Sequence, residues 1–475
     1  MIQKENLADI YPLSPMQAGM LFHALYEENS LAYLNQHTFR LTDTFDAAIF
    51  EYSINEVLKR HDALRTVFMF KNVPEPLQLV LKNQKVTFTS LDISQLSVKE
   101  QEIYLQDYLQ KDKERGFDLS QEALIRITVL QLAFDCSQII WTNHHIIMDG
   151  WSNGIILKEV FAIYYSHKMG KNSNLPQPVP YKTYIQWLKN QQLSEAKIYW
   201  KNYLRDYSQL ASLIPVDNQI INEDNKFILK ELWFELTLEI TQNLQQLATQ
   251  NQVTISIVIQ AIWGILLAKY LQTNDVVFGS VVSGRPEEIQ QVENIVGIFI
   301  NTIPVRVVLT DTMIISELLK NMQINALSSK KYDYYSLSEV QAISPLKKQL
   351  FDHIIDFENY PLDQELNDIF MQFSQGISID NVAEFDHSHY NFTIIVRSRD
   401  QLKIMFMYNN AVFESKFVES ISRCFIQIAE ELVKQPQRAI SAIDMLSTQD
   451  KTIIATLKAD LAKQQQPFMI AEFSF

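Results

Sequence analysis

The chain has 475 residues, enough for two or three domains of roughly 100–200 residues each, and its 47% hydrophobic content can build sizeable cores. A net charge of −14 disfavours nucleic acid and anionic membrane surfaces as partners, because phosphate groups are bound by clustered lysine and arginine. The two cysteines, Cys136 and Cys424, exclude a disulfide scaffold and a multi-cysteine metal site and are typical of a reducing cytoplasm.

The first 170 residues predict a mixture of helices and strands. A helix is expected over Pro15–Leu25, with Ser14 as its cap and a proline in its first turn. The other elements predicted here are a strand over 36–42, a helix over Ala47–Arg60, a strand over 64–70, two strands within 121–145 that turn near Asp135, and a helix from Trp151 to about Lys168.

A proline-rich segment, Gly170–Tyr184, is the best candidate for a domain boundary, because alternate prolines favour an extended crossing. The elements predicted after it are helices over Leu193–Leu204, Thr254–Leu271 and Glu414–Lys434, and strands within 227–236, 275–284, 297–309, 351–360, 390–398 and 402–409. The second helix is apolar enough to resemble a membrane span, but Gln260 and Lys269 favour a helix buried in a soluble domain. We therefore expect two α+β halves, each with its own sheet.

The stretch HHIIMDG, from His144 to Gly150, lies where a strand-like run meets a helix-like run. Alternation along a strand sends His144 and His145 to opposite faces, so at most one of them reaches a cavity. Gly150 permits a tight bend, and Asp149 or Ser152 can cap the following helix. The histidines can be structural, bind a metal or act as a general acid or base. The spacing does not match a zinc motif, and the stretch alone leaves the choice open.

The rest of the chain adds to this motif. HHIIMDG resembles the HHxxxDG motif of the condensation domains of nonribosomal peptide synthetases, and seven further segments resemble other motifs of that family, in family order. These segments are YPLSPMQAGMLFH (11–23), RHDALRTVF (60–68), YKTYIQWL (181–188), FGSVVSGRP (278–286), VGIFINTIPVR (296–306), YYSLSEVQ (334–341) and LFDHIIDFENYP (350–361). HHxxxDG alone also occurs in related acyltransferases, whereas the ordered set is specific.

The resemblance implies an α+β fold of two chloramphenicol-acetyltransferase-like subdomains in a V with a central tunnel. Residues 1–175 would form the N-terminal subdomain with the HHxxxDG motif, residues 176–450 the C-terminal subdomain with latch and floor-loop segments, and residues 451–475 the start of an interdomain linker. No adenylation signature is visible, so the chain is expected to be a condensation domain by itself, taken from a larger synthetase in which an adenylation domain is adjacent. The domain is also expected to be monomeric and cytoplasmic.

The resemblance also implies a reaction. Phosphopantetheine arms of a donor and an acceptor carrier protein enter from opposite faces, and the acceptor α-amine attacks the donor thioester to form a peptide bond. No cofactor is bound directly, and no metal is expected. The flanks of the motifs resemble the subtype that joins an L-configured donor to an L-amino acid. The alternatives are an epimerisation domain, a free-standing HHxxxDG acyltransferase and an inactive recruitment domain, which usually lacks the second histidine.

Aminolysis of a thioester needs an aimed, neutral amine and stabilisation of the tetrahedral oxyanion. His145 is the candidate for the first task, as base or as positioner, and the Gly150 N–H can help the oxyanion or the amine. Asp149 can orient His145 as in a triad. The family instead suggests a pair with Arg285, which we prefer. The residues assigned to structural roles are His144, Arg60 and Arg65, and those assigned to the tunnel or substrate region are Trp151, Ser152 and Asn301.

Overall fold

The computed structural model describes residues 3–26, 31–42, 45–214, 227–358, 378–385, 388–398, 400–446, 450–452 and 456. In the strand over 378–385, only the backbone is described before Phe385. Part of the predicted motif at 350–361 and most of the predicted linker at 451–475 lie outside these residues.

The described residues form helices and strands in a mixed order. The helices are α1 (Pro15–Tyr26), α2 (Ala47–Arg60), α3 (Val98–Arg115), α4 (Gly150–Lys168), α5 (Lys182–Lys189), α6 (Leu193–Tyr203), α7 (Leu238–Gln250), α8 (Ile255–Leu271), α9 (Ile315–Lys330), α10 (Leu337–Ile343) and α11 (Ser415–Lys434). The strands are β1 (Leu7–Pro12), β2 (Leu34–Thr42), β3 (Thr66–Met69), β4 (Leu77–Leu81), β5 (Thr87–Asp92), β6 (Ile125–Ala133), β7 (Cys136–His144), β8 (Leu229–Glu235), β9 (Asp275–Val282), β10 (Asn301–Val308), β11 (His353–Glu358), β12 (Ser378–Phe385), β13 (Phe392–Ser398) and β14 (Leu402–Asn409).

The strands assemble into three sheets. A three-stranded sheet has the order β1-β4-β3, a five-stranded sheet the order β12-β2-β7-β6-β5, and a six-stranded sheet the order β10-β9-β11-β13-β14-β8. Side chains of α2 and α4 share one hydrophobic core with the five-stranded sheet, while α7, α8, α9 and α11 share another with the six-stranded sheet. The architecture is α+β, as predicted.

One strand crosses between the halves of the chain. β12 comes late in the sequence but pairs antiparallel with β2, so that Ile379 lies opposite Leu41 and Glu384 opposite His37. Without β12, β2 would be an edge strand with a row of unpaired N–H and C=O groups. The expectation that each half builds a sheet from its own strands is therefore wrong for the five-stranded sheet. The subdomain limits at residues 175 and 450 remain a prediction.

Local sequence rules explain where several elements begin. The Ser14 Oγ accepts the Gln17 N–H at 3.3 Å and the Gln17 Oε1 accepts the Ser14 N–H at 2.9 Å, a reciprocal cap that confirms Ser14 as the cap of α1. α2 has the predicted bounds, Ala47–Arg60. The strand predicted over 64–70 is shorter than expected, because Asp62–Arg65 form a 3₁₀ turn. Residues 171–180 form neither helix nor strand, as their prolines predict.

The apolar helix α8 lies inside the protein. Its residues from Ile257 to Ala268 are all buried, which confirms the prediction of a buried helix. Among the described residues, no single helix has both the length and the apolar composition of a bilayer span, and only α7 and α8 taken together, with a bend of 106° between them, reach it.

Candidate active site at the end of strand β7

His145 lies directly after the last residue of β7, in a 3₁₀ turn that covers His145–Ile147. Its backbone N–H donates to the Tyr33 carbonyl at 2.7 Å, which extends the β2–β7 pairing by one residue. The ring is partly exposed, and its buried Nδ1 has no hydrogen-bond partner among the described residues. A sheet thus fixes the backbone of His145 while its side chain stays accessible.

His144 has the opposite environment. Its side chain is buried, and its Nδ1 accepts the Ile146 N–H at 3.1 Å. Burial, together with a smaller contribution from the neighbouring His145, lowers the pKa of His144 to about 3. The ring is therefore neutral at pH 7 and acts as a hydrogen-bond acceptor that shapes the turn.

Replacing His144 with asparagine is expected to reduce the loss of unfolding free energy that the protein shows as the pH falls below 7.5. Because the pKa of His144 is near 3 in the folded chain and about 6.5 in the unfolded chain, the unfolded chain takes up the extra proton as pH falls through 6.5. The wild type should lose about 2 kcal/mol of unfolding free energy between pH 7.5 and 5 through this residue alone. Urea unfolding at both pH values measures it. His144→Asn should remove that loss, whereas replacement of the exposed His167 should not. The same change in unfolding free energy between the two pH values for the wild type and both variants would contradict a neutral, buried His144.

Asp149 is the N-cap of α4 and is completely buried. Its Oδ1 accepts the Ser152 N–H at 3.0 Å and the Ser152 hydroxyl at 2.8 Å, and its Oδ2 accepts the Phe299 N–H at 3.0 Å. Arg285 Nη2 lies 3.1 Å from Oδ1, so the predicted contact with Arg285 is present. Asp149 and His145 are both described, and no hydrogen bond joins them. The triad-like alternative therefore has no geometric support.

Arg285 connects the start of α4 to the second half of the chain. Its Nη1 donates to the carbonyls of Val292 at 2.7 Å and Ile295 at 2.9 Å, and its guanidinium lies 4.1 Å from the centre of the Phe299 ring. The Ser152 hydroxyl oxygen accepts the Gly297 N–H at 3.1 Å. The helix that follows the HHxxxDG motif is thus fixed to the segment that leads into β10.

The other predicted site residues lie in different contacts. Gly150 is the first residue of α4, so its N–H has no partner within the helix. Trp151 donates from Nε1 to the Glu293 carbonyl at 2.8 Å. The Asn301 amide donates to the carbonyls of Asp333 at 2.6 Å and Tyr335 at 2.9 Å. The Asn301 amide therefore holds a neighbouring loop, whereas the Gly150 N–H is a donor at the start of α4 that the helix itself leaves unpaired.

Arg60 and Arg65 make contacts within the first half of the chain. Arg60 forms two bonds to Glu159, at 2.8 and 3.1 Å, and thereby joins α2 to α4. Arg65 pairs with Asp62 and donates to the Leu81 carbonyl at 2.6 Å. These contacts suit the structural roles expected of both residues. Among the described residues, no three histidine, cysteine, aspartate or glutamate side chains are grouped as a metal site would need.

Comparison with models of protein families identifies the family of this chain. The family model described as "Condensation domain" matches residues 7–454. The chain belongs to the condensation-domain family of nonribosomal peptide synthetases. It is therefore an acyl-transfer catalytic domain.

Similar curated proteins are much longer than this condensation domain. Bacitracin synthase 3 of Bacillus licheniformis is 40% identical over 452 residues, which cover 94% of this chain and 7% of that protein. Gramicidin S synthase 2 of Brevibacillus brevis is 38% identical over 449 residues, which cover 94% of this chain and 10% of that protein. The domain thus spans no more than about a tenth of the length of these relatives.

Solved structures share the fold at low identity. A holo four-domain nonribosomal peptide synthetase bound to AMP and glycine has a TM-score of 0.76 at 19% identity, over 94% of this chain and 34% of that one. The starter condensation domain of rhizomide synthetase has a TM-score of 0.75 at 18% identity, over 93% of this chain and 100% of that one. The X-domain in complex with OxyB, from teicoplanin biosynthesis, has a TM-score of 0.76 at 17% identity, over 94% of this chain and 97% of that one. The predicted α+β fold is confirmed.

Gln17 supports the turn at His145–Ile147 of this condensation domain, and the sequence prediction missed it. Its buried side chain donates from Nε2 to the Ile146 carbonyl at 3.0 Å and to the Gln78 Oε1 at 2.9 Å. Gln78 in turn donates to the Pro12 carbonyl at 3.0 Å. The signal was available, because helical spacing puts Gln17 on the same face as Met20 and Leu21, where a buried amide needs partners.

Replacing Gln17 with leucine is expected to slow condensation about tenfold and to cost about 1–3 kcal/mol of unfolding free energy, because the Ile146 carbonyl loses its donor. The KM for loaded carriers should change little, because the Gln17 side chain is buried beneath the turn. Gln101→Leu is the matched control, because Gln101 also bridges two carbonyls, those of Ile93 at 3.1 Å and Leu132 at 2.9 Å. It should lose stability and keep its rate. The same rate for both variants would contradict a positioning role of Gln17.

Proposed function

We propose that this domain forms a peptide bond between an L-configured aminoacyl or peptidyl thioester and the α-amine of an L-aminoacyl thioester, both held on phosphopantetheine arms of carrier proteins. The observation that carries the proposal is His145, a partly exposed imidazole held by strand pairing next to the start of α4. The similarity to synthases of bacitracin and gramicidin S supports the reaction class.

In the proposed reaction His145 accepts a hydrogen bond from the attacking amine and aims it at the thioester carbon. Its buried Nδ1 has no carboxylate partner among the described residues, so an imidazolium would lack the stabilisation that a triad supplies. A free α-amine has a pKa near ~8, so about a tenth of it is already neutral at pH 7 without a base. We therefore infer that His145 mainly positions the amine.

The developing oxyanion needs a donor that is already in place. The Gly150 N–H is unpaired within α4 and lies at the positive end of the helix dipole. Asp149 caps the same helix and is held by Arg285 and the Phe299 N–H, which fixes the direction of the helix start. We assign Gly150 to the oxyanion and Asp149 with Arg285 to its support.

The proposal places two subdomains, residues 1–175 and 176–450, in a V around a tunnel that receives the donor and acceptor arms from opposite ends. The hydrogen bonds between α4 and residues 285–299 support it, because they put His145 beside the junction of the two halves. The partners would be the two carrier proteins and an adjacent adenylation domain, and no cofactor would be bound directly.

Single-turnover condensation between two separately loaded carrier proteins tests this function. We expect a dipeptide on the acceptor carrier, formed faster from an L-configured donor than from its D isomer. Acceptors to compare are a carrier-bound aminoacyl thioester, its soluble thioester analogue and a soluble alcohol. Inversion of the donor's α-carbon without bond formation would indicate an epimerisation domain. Transfer to soluble acceptors alone would indicate a free-standing acyltransferase. No turnover with any acceptor would indicate a recruitment domain.

A further inference from the structure

A row of polar side chains continues from His145 along one face of the β2–β7 pair. Antiparallel register places Asn35 opposite Asn143, two residues from His145. Side chains two residues apart lie on the same face of a strand, so this pair shares the face of His145. The cross-strand pairs that follow on this face are His37 with Trp141 and Phe39 with Ile139. The face is thus polar near His145 and apolar farther away.

Several polar atoms of the asparagines and the tryptophan in this row are buried and have no hydrogen-bond partner among the described residues. Asn143 is 0% exposed and Asn35 5%. Both side-chain polar atoms of Asn143, the Oδ1 of Asn35 and the Nε1 of Trp141 have no hydrogen-bond partner among the described residues. Asn153 of α4 joins them, because its Nδ2 lies 3.4 Å from the His37 Nε2 while its own Oδ1 is also buried and unpaired within the described part of the chain.

Stability does not explain why these unpaired polar groups are buried. Buried polar groups in native proteins are nearly always hydrogen-bonded, and an unpaired one costs free energy. Asparagine is also disfavoured in strands, yet Asn35 and Asn143 face each other near one end of the paired strands β2 and β7. The unpaired atoms are of two kinds: donors, the Asn143 Nδ2 and Trp141 Nε1, and acceptors, the three asparagine Oδ1 atoms. Their complement is an uncharged group that both donates and accepts.

We propose that this row, Asn35, Asn143, Trp141 and Asn153, is a specificity subsite that receives a carboxamide or hydroxyl side chain of one of the two aminoacyl substrates. The inference rests on the proposed function. Two residues along a strand span about 7 Å, so a substrate whose reacting atoms lie at His145 can reach Asn143 with a side chain of glutamine length. In the bound state the substrate would supply the missing hydrogen bonds.

Condensation rates with paired side chains test the subsite. Glutamine is compared with methionine, asparagine with leucine and threonine with valine, first on the donor carrier and then on the acceptor carrier. In the wild type we expect at least a tenfold higher single-turnover rate with the polar member at one of the two positions. Asn143→Leu should abolish or reverse that preference, and the position at which it does so identifies the substrate.

A matched stability measurement separates an unpaired amide from a paired one. Asn143→Leu is expected to keep or raise the melting temperature, because it removes unpaired groups. Asn409→Leu should lower it, because the buried Asn409 accepts the Ile228 and Ala411 N–H groups at 3.1 and 3.0 Å. Asn35→Leu repeats the rate test if Asn143→Leu fails to fold. Equal wild-type rates for the polar and the apolar side chain of each pair, on the donor and on the acceptor carrier, would overturn the subsite but not peptide-bond formation. The absence of dipeptide with every pair of substrates would overturn the proposed function.

Discussion

Replacing His145 with alanine is expected to lower the single-turnover rate of dipeptide formation by about 10²–10⁴-fold and to leave the fold unchanged. The backbone bond that fixes the residue, from its N–H to the Tyr33 carbonyl at 2.7 Å, does not involve the side chain. The ring is partly exposed and makes no side-chain hydrogen bond to the described residues, so its removal breaks no support of the core. Rapid-quench assays with preloaded carriers measure the rate, and urea unfolding checks the fold.

A second substitution at the same position distinguishes a base from a positioner. Glutamine has an amide oxygen that can accept a hydrogen bond from the amine but cannot take up its proton at neutral pH. If His145 positions the amine, His145→Gln should retain part of the rate that His145→Ala loses. If His145 removes the proton, both variants should be equally slow. A near wild-type rate for His145→Ala would contradict the assignment of this residue altogether.

Breaking the pair between Asp149 and Arg285 should have the largest effect on stability. In Asp149→Asn the guanidinium of Arg285 stays 6% exposed without its counter-charge, and loss of one partner of a buried pair costs about 3–5 kcal/mol. The single amide oxygen of the asparagine can still accept the Ser152 N–H at the start of α4, but its amide nitrogen cannot accept the Phe299 N–H, so that hydrogen bond is lost as well. We expect a lower free energy of unfolding in urea at pH 7.5, together with reduced turnover.

The pair between Arg306 and Asp275 is the matched control. It has a shorter contact, 2.6 Å, but Asp275 is 32% exposed, so Asp275→Asn should cost about 1 kcal/mol or less. In a double-mutant cycle, Asp149→Asn with Arg285→Met should cost less than the sum of the two single changes, because neither charge is then left alone. Unchanged unfolding of Asp149→Asn combined with lost turnover would favour a triad-like role instead.

The elements that sequence predicted well depend on neighbours in the chain. The start of α1 follows from Ser14 and Pro15, and the turn between β6 and β7 from the local pattern. α3 was missed although Ser97 and Glu100 form a capping box, because its polar composition hides the helical periodicity. β12 was beyond local rules, since its partner β2 lies at the other end of the chain.

The residues of the candidate site also fall into those that the sequence predicts and those that it does not. His145, Asp149 and Arg285 were found because each lies in a recognisable motif, and the structure brings the last two into contact. The row that contains Asn35 and Asn143 could not be found, because only the register of β2 against β7 makes these residues neighbours. Contacts set by strand register are not readable from spacing along one chain.

The strand exchange between the halves has a consequence for biosynthesis. A ribosome releases β2 long before it has made β12, so the nascent first half waits with the outer edge of β2 uncovered. Such an edge pairs readily with other chains, so a chaperone that covers it would reduce aggregation most between the synthesis of β2 and that of β12. The same holds for protein engineers: a chimaera that exchanges the first half alone must accept the β12 of a foreign second half, and the register of that one strand decides whether the hybrid sheet closes.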